Sequence, residues 1–211
     1  MRRREFLKTT GLGAGSLLAG SSLVTFLTSC TKMGMMNGGD MNMMGQSQPV
    51  TEGAFNKLLS IPGTVTVNTT LNAQATTAII NGSMISVLGY QANGILGPTI
   101  RAESGLNTNI IFQNSLSENS NIHFHGLKIP VDMDGHPKDI INPGSNFNYK
   151  FTINQRAGLS WYHPHPDGDT ASQVFKGLAG LFIINDAEEA ALNLPSGSYE
   201  IPLVIQDKRL S

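Results

Sequence analysis

From Ile61 onward the chain is cut into short β-branched runs by turn signals, and that spacing leaves no stretch long enough for a helical core. Residues 64–70, 78–81, 84–88, 109–114, 121–125, 159–163, 178–185 and 201–206 read as strands. Asn81-Gly82 between two of them predicts a tight hairpin, because both residues tolerate positive φ. Phe147, Tyr149, Phe151 and Ile153 alternate with polar residues, so they share one face of an extended segment. The one helix predicted is short, with Asp186 as its cap and Glu189 three residues on. Short strands at close spacing predict an all-β chain folded as an antiparallel Greek-key β-sandwich.

Composition narrows the function. Charged residues make up 14% of the 211, against the roughly 25% usual for soluble domains. With 14 Lys and Arg against 15 Asp and Glu, there is no basic surplus for nucleic acid. The single cysteine, Cys30, excludes an internal disulfide, a zinc ribbon and an iron–sulfur cluster built from this chain's own thiolates. The 40% hydrophobic content argues against a fully disordered chain.

The first fifty residues read as address and tether. Arg3-Arg4-Glu5-Phe6-Leu7-Lys8 fits a twin-arginine export signal, and a weakly apolar run follows from Gly11 to Leu27. Leu27-Thr28-Ser29-Cys30 resembles a bacterial lipobox, which implies cleavage after residue 29 and acylation of Cys30. The expectation is an exported lipoprotein held at a membrane, in the periplasm or at the cell surface. Residues 30–50 carry Met33, Met35, Met36, Met41, Met43 and Met44 among Gly and Asn, with no apolar period. Two readings stand: a flexible spacer, or labile contacts to Cu(I), since thioether sulfur prefers soft ions.

The chemistry concentrates in Asn121-Ile-His-Phe-His-Gly126 and Trp161-Tyr-His-Pro-His165. These hold His123, His125, His163 and His165, four of the five histidines. Random placement of five histidines would give about 0.1 His-X-His pairs, so two pairs are a signal. On a strand, residues i and i+2 point to the same face, so each pair presents two imidazoles side by side. Two such pairs predict a metal site, though imidazole suits zinc, copper, iron and nickel alike. His136, in Asp134-Gly-His-Pro137, reads as a loop residue.

Together with Asp134-Gly135, Pro143-Gly144 and Gly177-Leu-Ala-Gly-Leu-Phe-Ile-Ile184, these strings resemble the first domain of a bacterial multicopper oxidase of the laccase-like or cuprous-oxidase type. The resemblance implies a cupredoxin-like sandwich and copper as cofactor. By position, His123 would bind a type 2 copper, and His125, His163 and His165 the type 3 pair. Asp134 would be an acidic residue that helps supply protons as O2 is reduced; the plain alternative is a turn aspartate before Gly135. Trp161 and Tyr162 would pack and orient the second pair.

The family pattern needs eight histidines and a cysteine-held type 1 copper, and no His-Cys-His string is present here. The expected organisation is therefore a signal peptide (1–29), a Met-rich tether (30–50), a first cupredoxin-like domain (51–198) and the opening strand of a truncated second domain (199–211). A missing C-terminal cupredoxin domain would complete the copper cluster and take electrons from a donor substrate, and the fragment alone would be inactive. The main alternative is a membrane-tethered copper-sequestering protein without oxidase activity. A structural or cell-division relative, or a copper nitrite reductase, fits less well, because all four expected histidines remain and no cysteine lies near His163.

Overall fold

The computed structural model describes residues 59–91 and 94–209. Nine strands form two sheets: β1 (Thr64–Val65), β2 (Asn68–Ile80), β3 (Ser83–Gly89), β4 (Thr99–Glu103), β5 (Asn109–Asn114), β6 (His123–His125), β7 (Asn146–Tyr149), β8 (Gly158–His163) and β9 (Gly180–Asn185). One sheet runs β1-β4-β9-β8-β6, the other β3-β2-β5-β7. Two short helices join them, α1 (Thr170–Lys176) and α2 (Ala187–Ala190). Among the described residues, no helix is long and apolar enough to cross a membrane.

The hairpin at Asn81-Gly82 forms as its residues demand, with φ of 52° and 83°. Asp186 caps α2 by accepting from the Glu189 backbone N–H at 2.8 Å. The all-β sandwich is present, but its sheets are mixed and not purely antiparallel: β1–β4, β2–β5 and β4–β9 pair in parallel. Turn signals report only on neighbours in sequence, whereas parallel pairs need a crossover, which leaves no local mark. Residues 64–70 divide into β1 and the start of the 13-residue β2. Residues 201–206 carry no strand. Strand β4 and helix α1 were not legible; the one buried residue of α1 is Gln173, so the helix shows no apolar stripe.

The core lies between the sheets. Phe124, fully buried, sits edge-to-face with Tyr149, Phe151 and Phe182, at ring centroid distances of 5.3, 5.1 and 5.9 Å. Each such pair contributes roughly 0.5–1.5 kcal/mol beyond burial. Tyr162 fills the adjacent volume and donates from its hydroxyl to the Pro98 carbonyl at 2.7 Å. Burial raises the Tyr162 and Tyr149 pKa values, so both phenols stay neutral donors or acceptors. The Tyr149 hydroxyl accepts from the Ile122 N–H at 2.9 Å, satisfying the backbone just before β6.

Gly180 faces Tyr162 across the β8–β9 pair, and a Cβ there would sit 2.2 Å from the phenol ring and oxygen. Backbone is rigid at that point, so the ring would have to move out of its close-packed seat. Gly180→Val should therefore cost at least about 1–3 kcal/mol in urea unfolding. Ile79→Thr, at an exposed hairpin position, should stay within about 0.5 kcal/mol.

Candidate metal centre

Strands β6 and β8 are antiparallel neighbours, with His123 opposite His163, Phe124 opposite Tyr162, and His125 opposite Trp161. Phe124 and Tyr162 both point into the core. Period-two alternation then sends the flanking side chains to the outer face. The two histidine pairs, forty residues apart in sequence, thus meet on adjoining strands. Ring centroids lie 5.5 Å apart for His123–His125, 5.3 Å for His123–His163, 5.3 Å for His123–His165, and 5.9 Å for His163–His165.

Potential ligand atoms of His123, His125 and His163 all fall within 4.8 Å of one another. His165 joins the ring cluster but lies outside that tight group of three. It sits beyond the end of β8, so its position is set by the turn through Pro164 and not by the sheet. Depth grades across the site: His163 is 5% exposed, His123 and His165 are half-buried, and His125 is open to solvent.

Hydrogen bonds assign the protons. A carbonyl can only accept, so His123 Nδ1 donates to the Asp134 carbonyl at 2.7 Å and its Nε2 is left bare. His163 Nδ1 donates in the same way to the Pro164 carbonyl at 2.8 Å, leaving Nε2 as an acceptor. That Nε2 lies 3.2 Å from His125 Nδ1, which must therefore be the donor of that pair. One proton sits between two nitrogens that could both bind an ion with bonds of about 2.0 Å. His165 Nδ1 is buried without any hydrogen-bond partner. An orphaned, buried imidazole nitrogen in a cluster of bare nitrogens fits a metal ion as its partner.

The Trp161 ring stacks on His163 at 4.0 Å and flanks His125 at 5.1 Å, covering one side of the cluster. Burial lowers the His163 pKa from the ordinary 6.5 to about 4; the Pro164 hydrogen bond opposes this, and the neighbouring histidines reinforce it. At neutral pH this ring is an uncharged ligand with no proton to displace from Nε2.

Asp134 closes a 3-10 turn, Val131–Met133, and its side chain approaches the same His123 nitrogen: Oδ1 lies 3.1 Å from Nδ1. The ring N–H points at the Asp134 main-chain carbonyl, so Oδ1 is buried with no hydrogen bond of its own. Gly135 follows with φ +62°, and any Cβ there would strike the Ile122 carbonyl at 1.8 Å. His136 is exposed in this loop, as the sequence predicts. Asn121, the buried first residue of the first histidine string, bonds both to this loop and to the His165 backbone, partners that no local sequence signal reveals. Cys30 and the six methionines from Met33 to Met44 lie outside the described residues, as does the twin-arginine segment.

An all-imidazole donor set on a two-sheet frame defines a metal-binding sandwich, and the comparisons supply the metal. Residues 65–189 match the family model described as multicopper oxidase. The chain belongs to the multicopper oxidase family, its domain is cupredoxin-like, and its cofactor is copper. It is 42% identical over 142 residues to Multicopper oxidase mco of Staphylococcus aureus, covering 66% of this chain and 31% of that protein. It is 39% identical over 119 residues to Cell division protein FtsP of Sodalis glossinidius (strain morsitans), covering 56% and 25%. The crystal structure of laccase from Pediococcus acidilactici superposes with a TM-score of 0.62 at 34% identity, over 67% of this chain and 32% of that one. The chain thus spans about a third of the length of the first of these relatives and of the laccase.

The His163 pKa has a thermodynamic consequence for the metal-free protein. The unfolded chain takes up this proton near pH 6.5 and the folded chain only near pH 4. Stability from this group is full above about pH 7 and is lost as pH falls from about 6.5 to about 4. With a chelator present, urea midpoints should drop across that window, and less steeply in His163→Gln.

Proposed function

We propose that this chain supplies four imidazoles, from His123, His125, His163 and His165, to a type 2/type 3 copper cluster at which a multicopper oxidase reduces O2 to water. The observation that carries the reading is the meeting of both histidine pairs on β6 and β8, with three ligand atoms within 4.8 Å. His125 Nδ1 and His163 Nε2, at 3.2 Å, are spaced as two ligands of one ion. His123 presents Nε2 to the site, because its Nδ1 is held by the Asp134 carbonyl, and the family resemblance gives that nitrogen to the type 2 copper.

Copper, when bound, supplies one-electron redox chemistry and a place for oxygen to bind. The chain's own residues do the rest. Buried His163 and stacked Trp161 keep water from the inner side of the cage. Asp134 Oδ1, beside His123 and without a hydrogen bond, holds and releases a proton for oxygen reduction.

The exposure of His125 leaves the cage open on one side, which supports completion by histidines of a further cupredoxin domain. That domain would also bring the type 1 copper, because the lone thiol here, Cys30, sits in the lipobox-like string. Electrons would come singly from a donor substrate held there, and the fragment alone would not turn over. The twin-arginine segment supports export to the periplasm or cell surface, and Cys30 supports a lipid anchor. The six tether methionines support labile capture of Cu(I).

The likeness to Cell division protein FtsP favours one competing reading, a structural or cell-division sandwich without oxidase activity. Copper content and oxygen uptake separate them. The chain should bind copper and consume no oxygen alone, and should gain oxygen uptake when joined to the C-terminal domains of a related oxidase. Replacing His163 by Ala should lower bound copper with an unchanged far-UV spectrum. Unchanged copper content would refute the ligand assignment, and a joined protein that binds copper without taking up oxygen would favour the non-enzymatic reading.

A further inference from the structure

We infer that Asn121 is a positioning residue that locks both halves of the copper cage into one geometry. The inference rests on the ligand assignment proposed above. Asn121 is fully buried, two residues before His123. Its side-chain amide faces three carbonyls of the Asp134 loop: Gly135 at 3.3 Å, His136 at 3.1 Å and Asp139 at 3.2 Å. Two N–H groups shared among three acceptors draw that loop inward against β6. The side-chain oxygen accepts from the His165 backbone N–H at 2.6 Å.

One side chain therefore ties three parts of the site together. Its own backbone leads into the first histidine pair. Its amide nitrogen holds the loop whose Asp134 carbonyl orients His123. Its oxygen fixes the backbone of His165, the one histidine that lies past the end of β8 and receives no register from the sheet. An amide suits this place because it offers donors and an acceptor at once. A hydroxyl is too short to span both groups, and a carboxylate would set negative charge against three carbonyl oxygens. Sequence alone could not assign the role, since the partners lie 14 to 44 residues away.

A neighbouring side chain provides a matched control. Ser120 is equally buried and donates to Gln173 Oε1 at 2.8 Å, tying the chain to α1 without touching the loop or His165. Loss of either side chain should lower stability, because each leaves buried polar groups unpaired. Only the loss of Asn121 should disturb the metal.

The test uses the whole chain and Cu(II) alone as probe, with affinity read by chelator competition. A second readout comes from the metal-free protein: the side-chain NMR signal of the His123 Nδ1 proton. In Asn121→Ala, Cu(II) should bind about 10–100-fold more weakly than in Ser120→Ala. The His123 proton should exchange faster with water in Asn121→Ala and stay protected in Ser120→Ala. Should Asn121→Ala fail to fold, Asn121→Ser is held to the same two readouts. An Asn121 variant that binds Cu(II) as tightly as Ser120→Ala overturns the inference, provided His163→Ala loses affinity. If His163→Ala binds as tightly as the unaltered chain, the ligand assignment fails and this inference falls with it.

Discussion

The histidine cluster depends on the pairing of Phe124 with Tyr162 across β6 and β8. Both rings are fully buried between the sheets, and neither can turn outward without losing large apolar area. A one-residue slip would expose both and bury the imidazoles in their place. The core therefore sets the register, and the register places His123 opposite His163, ring edge to ring face. Gly180 contributes by absence: only a residue without Cβ lets Tyr162 lie flat against β9. The geometry of the imidazole cluster is thus inherited from packing that has no chemical role of its own.

Around this frame, main-chain carbonyls decide what each ring can do. Asp134 and Pro164 each take an Nδ1 proton, so His123 and His163 turn bare Nε2 atoms toward the site. Such outer partners fix tautomer and ring orientation, and they raise the basicity of the ligand nitrogen. Burial of His163 works against that basicity, but it keeps the ring neutral and so able to bind a cation. The site is prepared for a cation while the protein itself avoids gathering positive charge there. His165 differs, since its Nδ1 is buried without a partner, and its backbone is held from the side by Asn121.

Membership of the multicopper oxidase family is shown by the match over residues 65–189, yet the frame alone does not define an activity. Its relatives include a laccase with a similar fold and, by sequence, a cell division protein. What speaks for copper chemistry in this chain is local: four imidazoles on one corner of the sandwich, three of them with ligand atoms in mutual reach. Copper handling and oxygen reduction differ in what must surround that corner. The open side at His125 is where a further domain would make the difference.

Much of this was legible in the residues. The Phe147 to Ile153 alternation (buried at Tyr149, Phe151 and Ile153, but exposed at Phe147), the Asn81-Gly82 turn and the Asp186 cap are local signals that the geometry largely obeyed. The first His-X-His string likewise announced two imidazoles on one strand face, because strand periodicity is a property of the backbone; the second did so only for His163, since β8 ends there and His165 follows in a turn. Parallel pairing of β2 with β5 and of β4 with β9 was not legible, nor was α1, whose buried residue is a glutamine. Those depend on partners far along the chain. The amino-acid sequence by itself determined which residues carry the chemistry and which way each faces on its own strand. Only the tertiary structure decided that the two pairs adjoin, which nitrogen of each ring is bare, and that Asn121 joins loop to ligand, because hydrogen bonds and register between distant segments exist only after the core has closed.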